Sequence, residues 1–341
     1  MSFLFPSSTI TLDAALRDLA QGSPKARTAA AHALGDVDDP TEKRRAVEAL
    51  VRALDDDRFE VRAEACASLG DLGDTSALPV LIRRLDDGSP PVRQNAAIAL
   101  GTLAHADGFE PLAQALKEGP ADLRFQAATS LAEIDQARAF DPLAAALADG
   151  DPQVVAAAAL SLGAIGDARA VPLLVERLDH REAATRFDVA YALAELGDPR
   201  GREALVAALG DPERAWDAVN ALARLATTDD AEALGRALVS KHTPPEATVL
   251  AAGAILKIAP HSAHHDAARR VLLAGLGARK IHLRGIAVEQ LGEIGDAWAI
   301  APLEKLAKSG KGADLLEAIA AALRAIQERT AGNVGAAKVG S

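Results

Sequence analysis

Histidines are the residues of this chain best suited to bind a metal ion, and five of the eight gather in one region. They are His242, His261, His264, His265 and His282. Two imidazoles three residues apart, such as His261 and His264, could share a zinc ion. No cysteine lies near them, and Asp266 is the only carboxylate beside the central three. We therefore interpret them as surface residues and expect no metal and no other cofactor.

Motifs that would carry catalysis are missing from the sequence. It contains no nucleotide-binding glycine loop, no Gly-x-Ser-x-Gly elbow and no zinc signature. The single cysteine, Cys66, can form no internal disulfide, which fits a reducing cytoplasm. We expect a cytoplasmic protein that is not an enzyme and has no catalytic residues.

Rare aromatic residues recur at a spacing near 31 residues with carboxylates beside them. Phe125, Phe187 and Trp216 hold equivalent positions, and Tyr191 and Asn220 lie one helical turn further along. The flanking acids are Glu133, Asp188, Glu195 and Asp217. Exposed rings beside carboxylates would suit a basic or amphipathic helix or peptide of a partner protein. The alternative interpretation is that these rings fill the space left by alanines.

Six arginines also share one position of the repeat, namely Arg27, Arg62, Arg93, Arg124, Arg186 and Arg284. A row of cations could bind an acidic partner. We favour a structural role, because a guanidinium can bond carboxylates in a bidentate manner. Candidate carboxylates are Asp56, Asp87, Asp149 and Asp179.

The elements that position these residues follow from a column of leucines spaced 29 to 35 residues apart. It runs through Leu34, Leu69, Leu100, Leu131, Leu162, Leu193 and Leu222, and resumes at Leu256, Leu291 and Leu323. A period near 31 over most of the chain predicts a stacked array of repeats. One repeat cannot bury enough apolar surface to fold alone, so its neighbours must complete the core.

Each repeat reads as two amphipathic helices, which we name A and B. In the third repeat, Leu78, Leu81 and Leu85 mark helix A, and Val92 and Leu100 mark helix B. Gly-Asp pairs separate the repeats at Gly73, Gly166, Gly197 and Gly295. Glycine suits the left-handed residue that ends a helix, and the following aspartate can cap the next one.

The pattern Asp-x-x-x-Val-Arg-x-x-Ala-Ala-x-Ala-Leu-Gly, best kept from Val61 to Asp74 and from Val92 to Leu103, resembles HEAT repeats of the phycobilisome (PBS) lyase type. The resemblance covers residues 12–328 and implies an all-α superhelical solenoid of about ten two-helix repeats, with B helices on the concave side. Deoxyhypusine hydroxylases share this architecture and hold iron through His-Glu pairs. No histidine here precedes a glutamate, so that activity is excluded. A bilin lyase, which holds a tetrapyrrole, is the remaining enzymatic alternative.

Charge and composition limit which partners the chain could bind and whether it could span a membrane. Residues 1–260 hold 40 acids and 26 bases, a net charge of −14, and residues 261–341 hold 8 acids and 11 bases, a net charge of +3. The acidic bulk argues against nucleic acid as the main partner. No apolar run approaches the length of a membrane span. We expect an N-terminal capping segment at 1–11, a solenoid at 12–328 and a disordered tail at 329–341.

The sequence thus predicts a non-enzymatic, cytoplasmic bacterial scaffold that binds another protein along its concave B-helix surface. The alternative is a PBS-lyase-like protein that handles a bilin or another small molecule.

Overall fold

The computed structural model describes residues 11–225 and 227–339, and these ranges contain twenty α-helices. The described helices alternate as A and B, which confirms the all-α fold with about ten helix pairs. The chain divides into an N-terminal unit ending at Leu173 and a C-terminal unit beginning at Leu174.

The N-terminal unit contains five complete pairs. They are α1 Leu12–Gln21 and α2 Pro24–Gly35, α3 Pro40–Ala53 and α4 Phe59–Leu72, α5 Leu78–Arg84 and α6 Pro90–Leu103, α7 Phe109–Glu118 and α8 Ala121–Ile134, and α9 Gln136–Ala146 and α10 Pro152–Ile165. The next helix, α11 Ala170–Val175, crosses the division between the units. Within this unit the B helices α2, α4, α6, α8 and α10 stack in chain order.

The C-terminal unit continues the same alternation. Its helices are α12 Ala183–Glu195, α13 Arg202–Ala208, α14 Ala215–Leu225, α15 Thr228–Val239, α16 Pro245–Ile258, α17 His265–Leu276, α18 Ile281–Ile294, α19 Ala297–Ala307 and α20 Leu316–Val339. Here α12, α14, α16, α18 and α20 form the stack of B helices.

The leucine column forms the core of both units, as predicted. Leu34, Leu69, Leu100, Leu131 and Leu162 are fully buried in the N-terminal unit, and Leu193, Leu222 and Leu291 are fully buried in the C-terminal unit. Burying each such side chain contributes about 1.5–3 kcal/mol. The core therefore lies between the helices of successive repeats.

The glycine that follows the leucine in this column has a packing role that the sequence pattern did not reveal. A Cβ added at Gly70 would lie 2.9 Å from the Cα of Ala99, and one added at Gly101 would lie 2.9 Å from the Cβ of Ser130. Successive B helices therefore approach closely at this level. This contact fixes the spacing of the surface that the B helices present.

Three of the four Gly-Asp pairs end and start helices as predicted. Gly73, Gly166 and Gly197 have φ angles of 69°, 77° and 74°. Gly295 is different, since its φ of −64° is not left-handed; there the glycine is required by close approach, because an added Cβ would lie 2.5 Å from the carbonyl oxygen of Leu291. Asp296 still caps α19. The prediction of a left-handed residue was wrong at that position.

The two ends of the chain bear on the predicted boundaries. Residues 1–10 of the capping segment lie outside the described residues, and Thr11 caps α1 by accepting a hydrogen bond from the amide of Ala14 at 3.4 Å. Helix α20 extends through Val339, across most of the segment predicted as a tail. The three boundaries themselves stay predictions.

Candidate protein-binding face

The predicted binding residues lie on B helices, but they divide between the two units. Phe125 and Glu133 lie on α8 of the N-terminal unit. Phe187, Asp188, Tyr191 and Glu195 lie on α12 of the C-terminal unit, and Trp216, Asp217 and Asn220 lie on α14. Each unit therefore presents its own candidate surface.

In the N-terminal unit, three large apolar side chains are exposed on consecutive B helices. Ile98 on α6 is 41% exposed, Phe125 on α8 is 37% exposed, and Leu160 on α10 is 39% exposed. The three side chains lie on neighbouring helices, because α8 packs against both α6 and α10, and we call them together the apolar patch. The sequence analysis selected only Phe125, since Ile98 and Leu160 are ordinary core residue types.

The backbone beneath the apolar patch is held by side-chain hydrogen bonds. Within α8, the side-chain Nε2 of Gln126 donates to Oγ1 of Thr129 at 2.9 Å, and that hydroxyl donates to the backbone carbonyl of Gln126 at 2.8 Å. Between the helices, the hydroxyl of Ser161 on α10 donates to the carbonyl of Ala128 on α8 at 3.0 Å. The Ser161 bond therefore joins α10 to α8 beneath the patch.

Exposed carboxylates border this surface. Glu133 near the end of α8 is exposed, and its carboxylate lies over Gly101 of α6, where an added Cβ would be 2.7 Å from Oε2. Asp71 is exposed near the end of α4. The N-terminal unit thus combines an apolar patch with an acidic border.

The C-terminal unit corrects one of the predicted contacts. Phe187 is only 6% exposed, and its ring packs 6.3 Å from the ring of Tyr191 and 5.5 Å from the guanidinium carbon of Arg214. Its prediction as an exposed binding ring was therefore wrong, because neighbouring side chains cover it. Trp216 is 40% exposed and Tyr191 is half-buried.

The acids beside these rings are partly compensated. Glu195 forms an ion pair with Arg224. Burial raises the pKa of Asp188, the nearby Arg214 opposes that shift, and the carboxylate of Asp217 adds to it. Burial and the Glu195 carboxylate also raise the pKa of the Tyr191 phenol. An incoming cation would relieve the repulsion between Asp188 and Asp217.

The arginines of the column contact the backbone of their own repeats. In all six arginines, Nη1 donates to a backbone carbonyl five or six residues earlier, in the turn that precedes the B helix. Arg62 binds Asp87 through Nε and Nη2 at 2.9 and 2.8 Å, and Arg124 binds Asp149 in the same way at 2.7 and 2.8 Å. These pairs join successive repeats.

The other carboxylate partners agree only in part with the prediction. Arg27 pairs with Asp56 as expected, whereas Arg93 binds Asp122, which was not among the candidates. Arg186 contacts the carbonyls of His180 and Arg181, and among the described residues it forms no ion pair with Asp179. The carboxylate partner of each arginine thus depends on the local turn.

Comparison with protein families agrees with this geometry. The profile of HEAT repeats matches residues 12–101, 82–161, 109–188 and 142–223, which together span more than half of the chain. The chain belongs to the HEAT-repeat family. A second profile, the PBS lyase HEAT-like repeat, matches residues 283–309. The family confirms the resemblance that the sequence pattern indicated.

Solved structures show the same fold class for this HEAT-repeat protein. Importin beta is 13% identical with a TM-score of 0.56, and the match covers 92% of this chain and 52% of importin beta. A chain of the AP-3 complex is 16% identical with a TM-score of 0.58, and the match covers 83% of this chain and 56% of that one. Both likenesses concern the α-solenoid fold alone.

A third match is the CpcE–CpcF complex of phycocyanin lyase from a Nostoc species, at 24% identity and a TM-score of 0.38, covering 80% of this chain and 98% of that one. Among curated proteins, no significant sequence match is found.

Two histidines of the cluster, His264 and His282, form hydrogen bonds with glutamates of neighbouring repeats. Nε2 of His264 lies 2.9 Å from Glu232, and Nε2 of His282 lies 2.7 Å from Glu246. Within the described residues, no group of three His, Cys, Asp or Glu side chains could hold a metal ion. None of the described helices has both the length and the apolar composition that a bilayer crossing requires.

Proposed function

We propose that this HEAT-repeat protein is a non-enzymatic scaffold that binds a partner protein along the exposed face of its B helices. The observation that carries the proposal is the apolar patch of Ile98, Phe125 and Leu160 on three stacked helices. Exposed apolar side chains grouped on a rigid surface are typical of protein-binding sites. An aromatic side chain at the centre of such a group is a frequent energetic anchor.

The partner that best fits this surface is an amphipathic helix or a peptide with basic flanks. Its apolar side would cover Ile98, Phe125 and Leu160, as in other complexes where a helix lies in a groove. Basic residues at its edge would meet the exposed carboxylates of Asp71 and Glu133. Such charge pairs would add association rate and orientation more than affinity.

In the C-terminal unit, we assign binding to the exposed residues of the predicted set. Trp216 and Asp217 are exposed, and Asn220 is half-buried on the same helix. Phe187 supports the half-buried ring of Tyr191 rather than contacting the partner. A basic segment that neutralises Asp217 would also favour the ionised form of Asp188.

The proposal assigns no catalytic step and no cofactor to the chain. Cys66 is fully buried, and burial raises the pKa of its thiol to about 12, so it is unsuited to nucleophilic attack. A single protected thiol supports the expectation of a reducing compartment, such as the cytoplasm.

The test is quantitative affinity capture from the cell of origin with the wild-type chain, Phe125→Ala and Leu160→Ala. The matched control is Phe59→Ala, since Phe59 is 42% exposed at the start of α4, outside the apolar patch. We expect the two patch variants to retain their circular dichroism and to bind specific partners about tenfold more weakly, the usual effect of losing an anchor. Unchanged capture by both folded variants would remove the patch as the binding site.

A bilin-handling protein is the second candidate, supported by the PBS lyase HEAT-like repeat at residues 283–309. It would bind a tetrapyrrole, so addition of bilin should shift the visible absorbance of the pigment. An absorbance spectrum identical to that of free bilin would eliminate this alternative.

A further inference from the structure

Arg284 differs from the other arginines of its column by the depth of its burial. It lies on α18 and is only 6% exposed. Its Nη1 donates to the carbonyls of Ala278 and Arg279, each at 2.9 Å, in the turn after α17. Among the described residues, these carbonyls are its only hydrogen-bond partners. The guanidinium charge therefore has no carboxylate to balance it.

The unpaired edge of Arg284 is the edge with which other arginines bind carboxylates. In Arg62 and Arg124, Nε and Nη2 together bind the aspartate 25 residues later. In Arg284, Nε is buried without a hydrogen-bond partner, and Nη2 has no partner among the described residues. The geometry for bidentate binding is thus present without its anion.

At the positions where the other ladder arginines find their aspartates, the described residues place no bonded carboxylate on this edge. The residue 25 positions after Arg284 is Ser309, whose hydroxyl donates to the carbonyl of Leu306 at 2.7 Å. Arg27 and Arg93 have a different sequence separation from their carboxylates, since each binds an aspartate 29 positions later. The residue 29 positions after Arg284 is Ala313, so neither of these two positions supplies an acid. Arg27 also binds Asp57, 30 positions later; the equivalent residue for Arg284 is Asp314, which is exposed and forms no hydrogen bond with Arg284 among the described residues.

A groove lies between α17 and α19 of the same unit, and Ser309, the residue 25 positions after Arg284, forms part of its wall. Its volume is about 560 Å³, and its walls include Leu273, Leu276, Pro302 and Leu306 together with Lys305 and Lys311. The ammonium of Lys311 lies 3.3 Å from the carbonyl of Gly277, the residue before the carbonyl that Arg284 holds. Arg284 and the groove therefore share one turn of the backbone.

We propose that Arg284 and this groove form a binding site for an acidic, partly apolar segment of a partner protein. One carboxylate of that segment occupies the Nε–Nη2 edge of Arg284, in the place that Asp87 or Asp149 fills for its own arginine. Apolar side chains of the segment contact Leu273, Leu276 and Leu306, and further acids meet Lys305 and Lys311.

Charge complementarity favours this occupant. Residues 261–341 carry a net charge of +3, whereas residues 1–260 carry −14. A buried cation without a counter-ion is costly, so an added carboxylate would stabilise it strongly. This site is separate from the apolar patch of the N-terminal unit, and either proposal can fail without the other.

Restoring the missing carboxylate within the chain tests the proposal. Ser309→Asp places an acid at the register of Asp87 and Asp149, and Ser309→Asn is the neutral control of nearly the same shape. We expect Ser309→Asp to raise the melting temperature relative to Ser309→Asn, because the new carboxylate pairs with Arg284. Equal melting temperatures would show that the edge of Arg284 cannot accept a carboxylate, and would overturn the proposal.

Binding is measured by fluorescence anisotropy with a labelled short peptide of alternating Glu and Leu residues. The corresponding Gln and Leu peptide is the control probe. We expect Ser309→Asp and Arg284→Gln to bind the acidic peptide about tenfold or more weakly than wild type, the equivalent of losing a charge-assisted bidentate contact. Ser309→Asn should bind as wild type does.

Two results would contradict the proposed occupant. The first is equal binding of the acidic and neutral peptides, which would mean that charge plays no part. The second is displacement of the acidic peptide by an equal concentration of inorganic phosphate, which would mean that the site takes a free anion only. If Arg284→Gln does not fold, the comparison of Ser309→Asp with Ser309→Asn decides alone.

Discussion

The pair of Arg124 and Asp149 should be a major link between the fourth and fifth repeats, and its removal can be measured. The two side chains are joined by hydrogen bonds of 2.7 and 2.8 Å, and only 22% and 13% of their surfaces are exposed. Arg124→Gln removes both bonds and the 2.9 Å bond from Nη1 to the carbonyl of Gly119. Of its hydrogen bonds with described residues, Asp149 then keeps one, from the backbone amide of Asp151.

The expected loss of unfolding free energy follows from these contacts. A hydrogen bond to a charged group contributes about 1.5–3 kcal/mol, and loss of one partner of a buried ion pair costs about 3–5 kcal/mol. Because this pair retains some exposure, we expect Arg124→Gln to lower the free energy of unfolding by about 2–3 kcal/mol. Arg62→Gln should cost less, since its partner Asp87 keeps a second cation, with Nη1 of Arg84 at 3.9 Å.

The stability that the pair of Arg124 and Asp149 contributes should depend on pH in a defined direction. Arg124 lowers the pKa of Asp149 below its ordinary value of 3.8, the amide of Asp151 lowers it further, and burial opposes both. The pair therefore stabilises the fold above pH 3.8, and this contribution is lost as the pH falls through the lowered pKa. The difference between wild type and Arg124→Gln should be full at pH 7 and should shrink in strong acid.

Urea unfolding followed by circular dichroism gives the overall stability, and hydrogen exchange in α8 and α10 gives the local loss. The local measurement is needed because repeat arrays can unfold in parts. Arg83→Gln is the matched control, since Arg83 is exposed and its guanidinium has no partner among the described residues. The reasoning is refuted if both variants lose equal stability, or if the Arg124→Gln effect is the same at pH 7 and in strong acid.

Three further predictions concern single residues. Asp188→Asn should stabilise the fold at pH 7, because the raised pKa of Asp188 makes its ionised form unfavourable in the native state; thermal melts should show the gain vanishing below pH 3.8, and a gain that persists there would contradict this reason. Gly166→Ala should cost about 1 kcal/mol in chemical unfolding from the φ of 77° alone, since no atom lies within 4 Å of the added Cβ; a neutral effect would contradict the left-handed cap. Cys66 should resist thiol reagents until unfolding, so alkylation and urea unfolding should share one midpoint, whereas rapid alkylation of the native protein would contradict its burial.

Much of the candidate site could not be predicted from residue types. Phe125 and Phe187 occupy equivalent positions of the repeat, yet Phe125 is 37% exposed and Phe187 is 6% exposed. The difference arises because Arg214 and Tyr191 pack around the second ring. Ile98 and Leu160 resemble core residues in the sequence, but their helices turn them to the surface.

The sequence by itself determined the fold, because a period near 31 residues specifies the same helix pair and the same buried positions again and again along the chain. Buried leucines, helix-ending glycines and the position of the ladder arginines all follow from that period. Exposure and pairing were decided only by tertiary structure, since they depend on which side chains the neighbouring repeats supply. Arg124 and Arg284 occupy the same place in the pattern. Arg124 binds Asp149, whereas the residue at the equivalent position after Arg284 is Ser309, whose hydroxyl donates to the carbonyl of Leu306. The physical reason is that a repeat fixes where a guanidinium points, whereas its counter-ion belongs to another part of the chain.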